Sequence, residues 1–324
     1  LNFWIFRMLY QLEVHGFKKN IIKRINMIAV AESGSTKTQW FIISSNGTIK
    51  QEISTRGFNP DFHDSKFIEL ALLENEEINF YSQSISLVYF FGASCSSTNN
   101  INKVKGGLQS IFKNAEIQVE HDLSASAYAL YQGNPVISCI IGTGSNSVLF
   151  DGVKMIEEIP ALGFFLGDEC SGAYFGKQLL KDFFYKKLPV DIHDALIQDY
   201  NLEWNKVREI IYGSKDANVF LASFMPFIMR YKGSAYIDQL LNEGIKNFID
   251  LHIDCFAAYN CKEVGFVGSI AGILKHSIQV QLEAKGYKLG KIIHSPGRDL
   301  VNYLLQERKI LDSKVLESKR TTLK

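Results

Sequence analysis

Residues 28–40, Ile-Ala-Val-Ala-Glu-Ser-Gly-Ser-Thr-Lys-Thr-Gln-Trp, hold the first side chains whose types and spacing could do chemistry. An apolar run, Ile28 to Ala31, ends in the carboxylate of Glu32. Ser33-Gly34-Ser35-Thr36 follows as a tight turn of small hydroxyl residues, and Lys37 adds a cation. Such a turn offers bare backbone N–H groups and hydroxyls to one spot, as a bound phosphate requires. The common P-loop does not fit. It needs glycine six residues before the lysine and again directly before it, and these positions hold Ala31 and Thr36. A second apolar run, Trp40 to Ile43, predicts strand–turn–strand, whereas a P-loop turn opens a helix. An ordinary hairpin would share the pattern.

A second copy shifts the balance. Residues 136–150, Val-Ile-Ser-Cys-Ile-Ile-Gly-Thr-Gly-Ser-Asn-Ser-Val-Leu-Phe, repeat the design, with Gly34-Ser35 matching Gly144-Ser145. Each second strand then meets a dipeptide, Asn46-Gly47 or Asp151-Gly152, that favours a two-residue hairpin turn. The repeat predicts two related halves, each aiming a phosphate loop at a shared cleft.

The elements that must position these loops can be read along the chain. Ile49 to Ser54 predicts a third strand, 64–77 a helix, Ile85 to Phe91 a buried strand, 99–113 a helix and Ala115 to Glu120 a strand. His121-Asp122 and a helix of small residues, Leu123 to Tyr131, follow. In the second half the third strand is expected at Val153 to Glu158. A glycine-containing loop, 161–169, leads to a helix from Cys170 to Phe184. Residues 191–258 have helical period, Val264 to Val267 reads as a strand entering Gly268-Ser269, and 270–283 and His294 to Gln306 read as helices. The turn Gly133-Asn134-Pro135 marks the boundary, giving domains 27–133 and 134–294. The closing helix, about 295–312, is expected to pack back on the first domain, and 313–324 is a polar tail.

Composition narrows the function classes. The chain has 324 residues, apolar content of 46% and a formal charge of +1, so two domains are expected and neither nucleic acid nor an anionic membrane is indicated as partner. The five cysteines form no C-x-x-C pair, which predicts reduced thiols in a cytoplasmic protein rather than a disulfide framework or zinc site. Met27 directly precedes the first strand. The reading is that it is the natural start and that 1–26 lies upstream of it; the alternative is an amphipathic anchor or partner helix.

The order of these motifs is similar to that of the actin, sugar-kinase and chaperone ATPase superfamily. Within it the chain resembles N-acetylglucosamine kinases and the ATPase family that includes the benzoyl-CoA reductase activators. The resemblance runs from about Met27 to about Gly290. It rests on Glu32-Ser33-Gly34-Ser35-Thr36-Lys37-Thr38, on Gly142-Thr143-Gly144-Ser145-Asn146, and on Gly167-Asp168-Glu169 with Ser171-Gly172-Ala173-Tyr174. It implies an α/β fold of two ribonuclease-H-like, actin-type domains. Each would have a mixed five-stranded sheet flanked by helices, with ATP and Mg²⁺ in the cleft between them.

The resemblance also assigns roles. Gly34, Ser35, Thr36 and Lys37 would hold the γ-phosphate, and Thr143, Gly144 and Ser145 the β-phosphate. Gly268 and Ser269 would approach adenosine, and Glu32 would sit near Mg²⁺ through water. Asp122 would be the general base toward a sugar 6-hydroxyl, and Asn59, Asp168 and the backbone of Ala161, Leu162 and Gly163 would contact the sugar. A homodimer is common in such kinases. Each residue has a plainer reading: Glu32 as a carboxylate capping the turn, Asp122 as an N-cap, Asp168-Glu169 as acid at a helix N-terminus, Asn59 as a turn residue before Pro60. The function implied is an ATP-dependent kinase of N-acetylglucosamine or a related cell-wall sugar. The alternatives are an activator ATPase with an iron–sulfur cluster, against which Gly-Thr-Gly-Ser stands where such proteins have Gly-Gly-Gln-Asp, and a non-catalytic sugar sensor.

Overall fold

The computed structural model describes residues 27–34, 36–214 and 216–307. The expectations for Ser35, for 1–26 and for the tail therefore lie outside the described residues. These residues fall into two compact units, one ending at Glu120 and the other starting at His121.

The first unit runs β1 (Met27–Ser33), β2 (Lys37–Ile43), β3 (Ile49–Arg56), α1 (Ser65–Leu73), α2 (Glu76–Ser82), β4 (Ile85–Gly92), α3 (Thr98–Ile111) and β5 (Glu116–His121). Its sheet has the order β3-β2-β1-β4-β5. β1 lies antiparallel to β2 and parallel to β4. The apolar run 28–31 is buried; β1 is central and flanked on both edges, and Ala29 and Ala31 pack with α1, α2 and α3. Trp40 and Phe112 meet with ring centroids 5.6 Å apart, and the Trp40 indole N–H is satisfied by Thr55 Oγ1 at 3.0 Å. α3 lies close on α1 at Gly107, where a Cβ would come 2.6 Å from Ile68 Cβ. The single helix expected over 64–77 is two. Glu74 is the C-cap of the first, and Asn75 caps the second, its side chain accepting from Ile78 N–H, a role asparagine fills well.

The second unit repeats the plan. It runs α4 (Asp122–Leu130), β6 (Val136–Ile141), β7 (Ser145–Phe150), β8 (Met155–Ile156), α5 (Gly163–Leu166), α6 (Gly172–Phe184), α7 (Val190–Asp199), α8 (Trp204–Gly213), α9 (Ala217–Ala222), α10 (Met225–Arg230) and α11 (Ala235–Phe248). A π turn (Ile249–Ile253) and a 3₁₀ turn (Asp254–Tyr259) come next. β9 (Glu263–Val267), α12 (Ser269–Ile273), α13 (Lys275–Ala284), β10 (Lys288–Ile293) and α14 (Gly297–Gln306) close it. The sheet order is β10-β9-β6-β7-β8. β6 is antiparallel to β7 and parallel to β9, so β6 occupies the place of β1. Both predicted hairpin glycines have positive φ, 85° at Gly47 and 98° at Gly152.

The division falls at 120/121, where the glycine-proline turn had suggested 133/134. The reason is packing: α4 lies on β6 and β7 and against α14. Tyr128 stacks on Tyr303 at 4.7 Å, which places the closing helix in the second unit. β10 is a strand that the apolar pattern did not predict. It is an edge strand with Lys288, Gly290 and Lys291 in it, and none of its residues is fully buried. Among the described residues no helix is long and apolar enough to cross a membrane.

Candidate functional site

In the first unit the register Ser33↔Thr38 leaves 34–37 as the turn between β1 and β2. Its closing bond runs from Gly34 N–H to Lys37 O, 3.0 Å. The root of the turn is pinned by buried hydroxyls. Ser33 Oγ lies 2.7 Å from Thr38 Oγ1, Thr38 Oγ1 donates to Arg56 O at 2.9 Å, and Phe58 N–H donates to Ser33 Oγ at 3.0 Å. These bonds tie the turn to the loop carrying Asn59. The tip is open: Thr36 and Lys37 are exposed, and a Cβ at Gly34 would meet only Lys37 O at 3.9 Å. Glu32 is half-buried near the end of β1, opposite Gln39 and beside Phe91. Asn59 is buried, and its Oδ1 accepts from Asp61 N–H at 3.0 Å. The turn role is thus real for its oxygen, while the amide nitrogen finds no acceptor among the described residues.

In the second unit the turn 142–145 is held from three sides. Gly142 N–H closes it onto Gly144 O at 2.9 Å. From α6, the N–H groups of Gly172 and Ala173 donate to Gly142 O and Thr143 O at 2.9 and 3.0 Å. From β9, Gly268 lies so close that a Cβ would be 2.2 Å from Ile141 O. From the 167–171 loop, Asp168 lies against Gly144, where a Cβ would come 2.8 Å from Oδ2, and its carboxylate accepts from Ser145 N–H. Ser145 Oγ donates to Glu169 O at 2.7 Å, so the Ser145 hydroxyl hydrogen and N–H are both directed at 168–169. Gly142 faces open space. Three stretches singled out in the sequence, 142–145, 168 and 268–269, therefore meet at the carboxyl ends of β6 and β9, the end of a parallel pair where ligands bind in α/β sheets.

Asp122 is the first helical residue of α4. The cap is His121, whose Nδ1 accepts from Leu123 N–H at 3.3 Å and lies 3.1 Å from Asp122 Oδ1. Topology fixes which end of the sheet Asp122 occupies. α4 leads through a short turn into β6 and runs antiparallel to it, with Ser126 Oγ 2.7 Å from Ser138 Oγ midway. Four residues back along a helix is about 6 Å, and four forward along a strand about 13 Å. Asp122 thus lies toward the loop end of β6, short of the turn itself. Ala161, Leu162 and Gly163 are exposed, and the Lys177 ammonium holds this loop to α6 through Phe164 O at 2.6 Å. The N-cap of α6 is Ser171, which accepts from Tyr174 N–H, so Asp168 is free of that role.

Burial raises the Asp168 carboxyl to about 6, with the Ser145 N–H opposing and Glu169 adding repulsion. The sign follows from linkage. A carboxyl that binds its proton more tightly when folded contributes stability at low pH, and loses it as pH rises from about 4 through about 6. Asp168→Asn keeps an acceptor for Ser145 N–H and removes the buried charge. It is expected to be more stable than the parent at pH 8 by about 1–3 kcal/mol, with the difference gone near pH 4. Denaturant melts at the two pH values check this. A variant less stable than the parent at pH 8 contradicts it.

Sequence reasoning did not single out His252. It lies in the π turn, 5% exposed, with Nε2 3.1 Å from Glu169 Oε2. No local motif marks it; only the fold brings it to Glu169.

Both sheets follow the ribonuclease-H-like plan of two-domain, actin-like sugar kinases. No protein-family model matches the sequence, and comparison with curated protein sequences finds no match. Solved structures do match. A proposed N-acetylglucosamine kinase from Porphyromonas gingivalis is 31% identical with a TM-score of 0.78, over 87% of this chain and 100% of that one. A second, from Chromobacterium violaceum, is 15% identical with a TM-score of 0.66, over 87% and 99%; that likeness concerns fold alone. The chain belongs to the N-acetylglucosamine kinase-like family of the actin, sugar-kinase and chaperone ATPase superfamily.

Proposed function

We propose that the chain is an ATP-dependent amino-sugar kinase that phosphorylates N-acetylglucosamine, or a related sugar, at the 6-hydroxyl. The observation that carries this reading is the seat of residues 142–145, pinned on three sides while Gly142 faces open space. A backbone turn so fixed suits a phosphate, and phosphoryl transfer asks mainly for positioning and charge neutralisation. The name of the Porphyromonas gingivalis relative gives the substrate class.

Gly34, Thr36 and Lys37 serve the γ-phosphate, and the turn at Thr143 and Gly144 the β-phosphate. Gly268 and the exposed Ser269 approach adenosine. Glu32 fits a magnesium site of the usual kind, in which one or two carboxylates act with water. A magnesium ion held there would supply charge that offsets the phosphates. Asn59 offers its amide nitrogen to the sugar, and Asp168 offers the lone pairs that Ser145 leaves. The exposed backbone of Ala161, Leu162 and Gly163 lines the same substrate. Asp122 accepts the proton of the 6-hydroxyl as its oxygen bonds to the γ-phosphorus and the bond to ADP breaks.

A coupled ADP-release assay over a panel of N-acylated and free amino sugars is the test. Sugar-dependent ADP release, greatest with N-acetylglucosamine or a close analogue, is expected. Equal release with every sugar and with none would reject the reading.

A further inference from the structure

The segment that follows α11 departs from α-helical geometry where it packs against β7 and Glu169. α11 passes into the π turn Ile249–Ile253 and then a 3₁₀ turn. A π turn is rare in globular proteins and tends to sit at functional positions. His252 makes two contacts from it. Its carbonyl accepts from Ser147 Oγ at 2.7 Å, and its Nε2 lies 3.1 Å from Glu169 Oε2. Glu169 in turn accepts from Ser145 Oγ through its carbonyl. Ser145 and Ser147 are alternate residues of β7 and so share a face. One residue of this turn is thus linked to both serines, to Ser147 through its backbone carbonyl and to Ser145 by way of its ring and Glu169.

Electrostatics supplies the second strand of the argument. Asp168 and Glu169 place two carboxylates behind a turn that, on the proposed function, faces phosphate. Lys177 is one neighbouring cation. The His252 ring N–H is the hydrogen-bond donor on Glu169, because a carboxylate can only accept. The ring itself is held by stacking on Phe248, 4.8 Å away and tilted 19°. Nδ1 is buried with no partner among the described residues. A group left so, at a cost to stability, points to a role other than stability.

We propose that His252 is a positioning residue for nucleotide binding: it holds Glu169 against the back of residues 142–145 and offsets its charge. This rests on the assignment of that turn to ATP. The test uses the full chain and a fluorescent ATP analogue, titrated without sugar. His252→Phe keeps the ring stack, removes the donor and removes the buried orphan nitrogen. Its melting temperature is expected to equal or exceed the parent's, while its Kd for the analogue rises about tenfold. Adding Glu169→Gln removes the unpaired charge and is expected to restore most of the affinity. A purely structural histidine would give neither the stable, weak-binding variant nor the rescue. Unchanged affinity in His252→Phe, a fall in melting temperature that accounts for the lost binding, or no rescue by Glu169→Gln would each overturn the inference. Absence of binding by the parent chain would instead reject the nucleotide assignment beneath it.

Discussion

Asp122→Asn is expected to lower turnover about 10²–10⁴-fold, the range a positioned general base supplies, with little change in folding. Asp122 sits at the start of α4, where a negative charge favours the helix dipole by about 0.3–1 kcal/mol. Besides that, the substitution alters only the contact with His121 Nδ1, because the cap belongs to His121. The body of α4 is fixed independently by the Ser126–Ser138 hydroxyl contact and by Tyr128 on Tyr303. Binding of sugar and nucleotide should survive, since asparagine keeps one acceptor and the shape of the side chain. Turnover and KM from the coupled assay, beside a thermal melt, separate the two contributions. A loss of less than tenfold in turnover would remove Asp122 as the base, and a large loss of stability would return it to a purely structural role.

Gly268→Ala should be among the most damaging single-methyl changes in the second unit. Gly268 has φ 123° and ψ 159°, a region open essentially to glycine alone. The added Cβ would stand 2.2 Å from Ile141 O and 3.3 Å from Gly142 N, both of them backbone atoms at the root of the 142–145 turn. Neither can rotate away as a side chain would. Strain of about 1–3 kcal/mol and overpacking of a similar size together predict a loss of about 2–6 kcal/mol. Any folded fraction should bind nucleotide poorly, because relief of the clash must move residues 141–142. Gly272→Ala provides the control. It lies within α12 with nothing within 4 Å of its Cβ, and in a helix alanine is favoured over glycine by up to about 1 kcal/mol. Denaturant midpoints of the two variants should therefore move in opposite directions. Equal stability of Gly268→Ala and the parent would mean that the close approach is not maintained in solution.

Much of this architecture is legible in the sequence, because central strands announce themselves. β1, β6 and β9 are buried on both faces and read as short apolar runs bounded by turn residues. Elements at edges do not. β10 carries two lysines and a glycine because one side of it is open to solvent, and β8 shrinks to Met155–Ile156 from the expected 153–158. The closing helix starts at Gly297 instead of His294, since a proline pushes the residue before it, here Ser295, out of the helical region.

The turns were visible through their glycines and hydroxyls. What holds them was not. Ser33 and Thr38, at either foot of the first turn, are linked to Arg56 and Phe58 through bonds that no spacing rule encodes. The reach from Glu169 to His252 crosses the whole of α6 to α11. Ser145 was read as a ligand donor from its place in a phosphate loop, yet the geometry turns its hydroxyl inward to Glu169. Local chemistry identifies a turn; the direction of each polar group within it is decided by what lies behind.

The matched strand orders carry a consequence for how such a chain can lengthen. Between the third and fourth strands of the first sheet lie only α1 and α2, whereas the corresponding crossover of the second sheet carries α5 through α11 and two irregular turns. Within that crossover the start of α6 holds the 142–145 turn, whereas α7 through α10 make none of the bonds described to that turn. Material added within α7 to α10 leaves those bonds and the pairing of the central strands in place. This crossover is accordingly the place where a doubled scaffold can acquire new surface, and new selectivity, without disturbing the parts that recur.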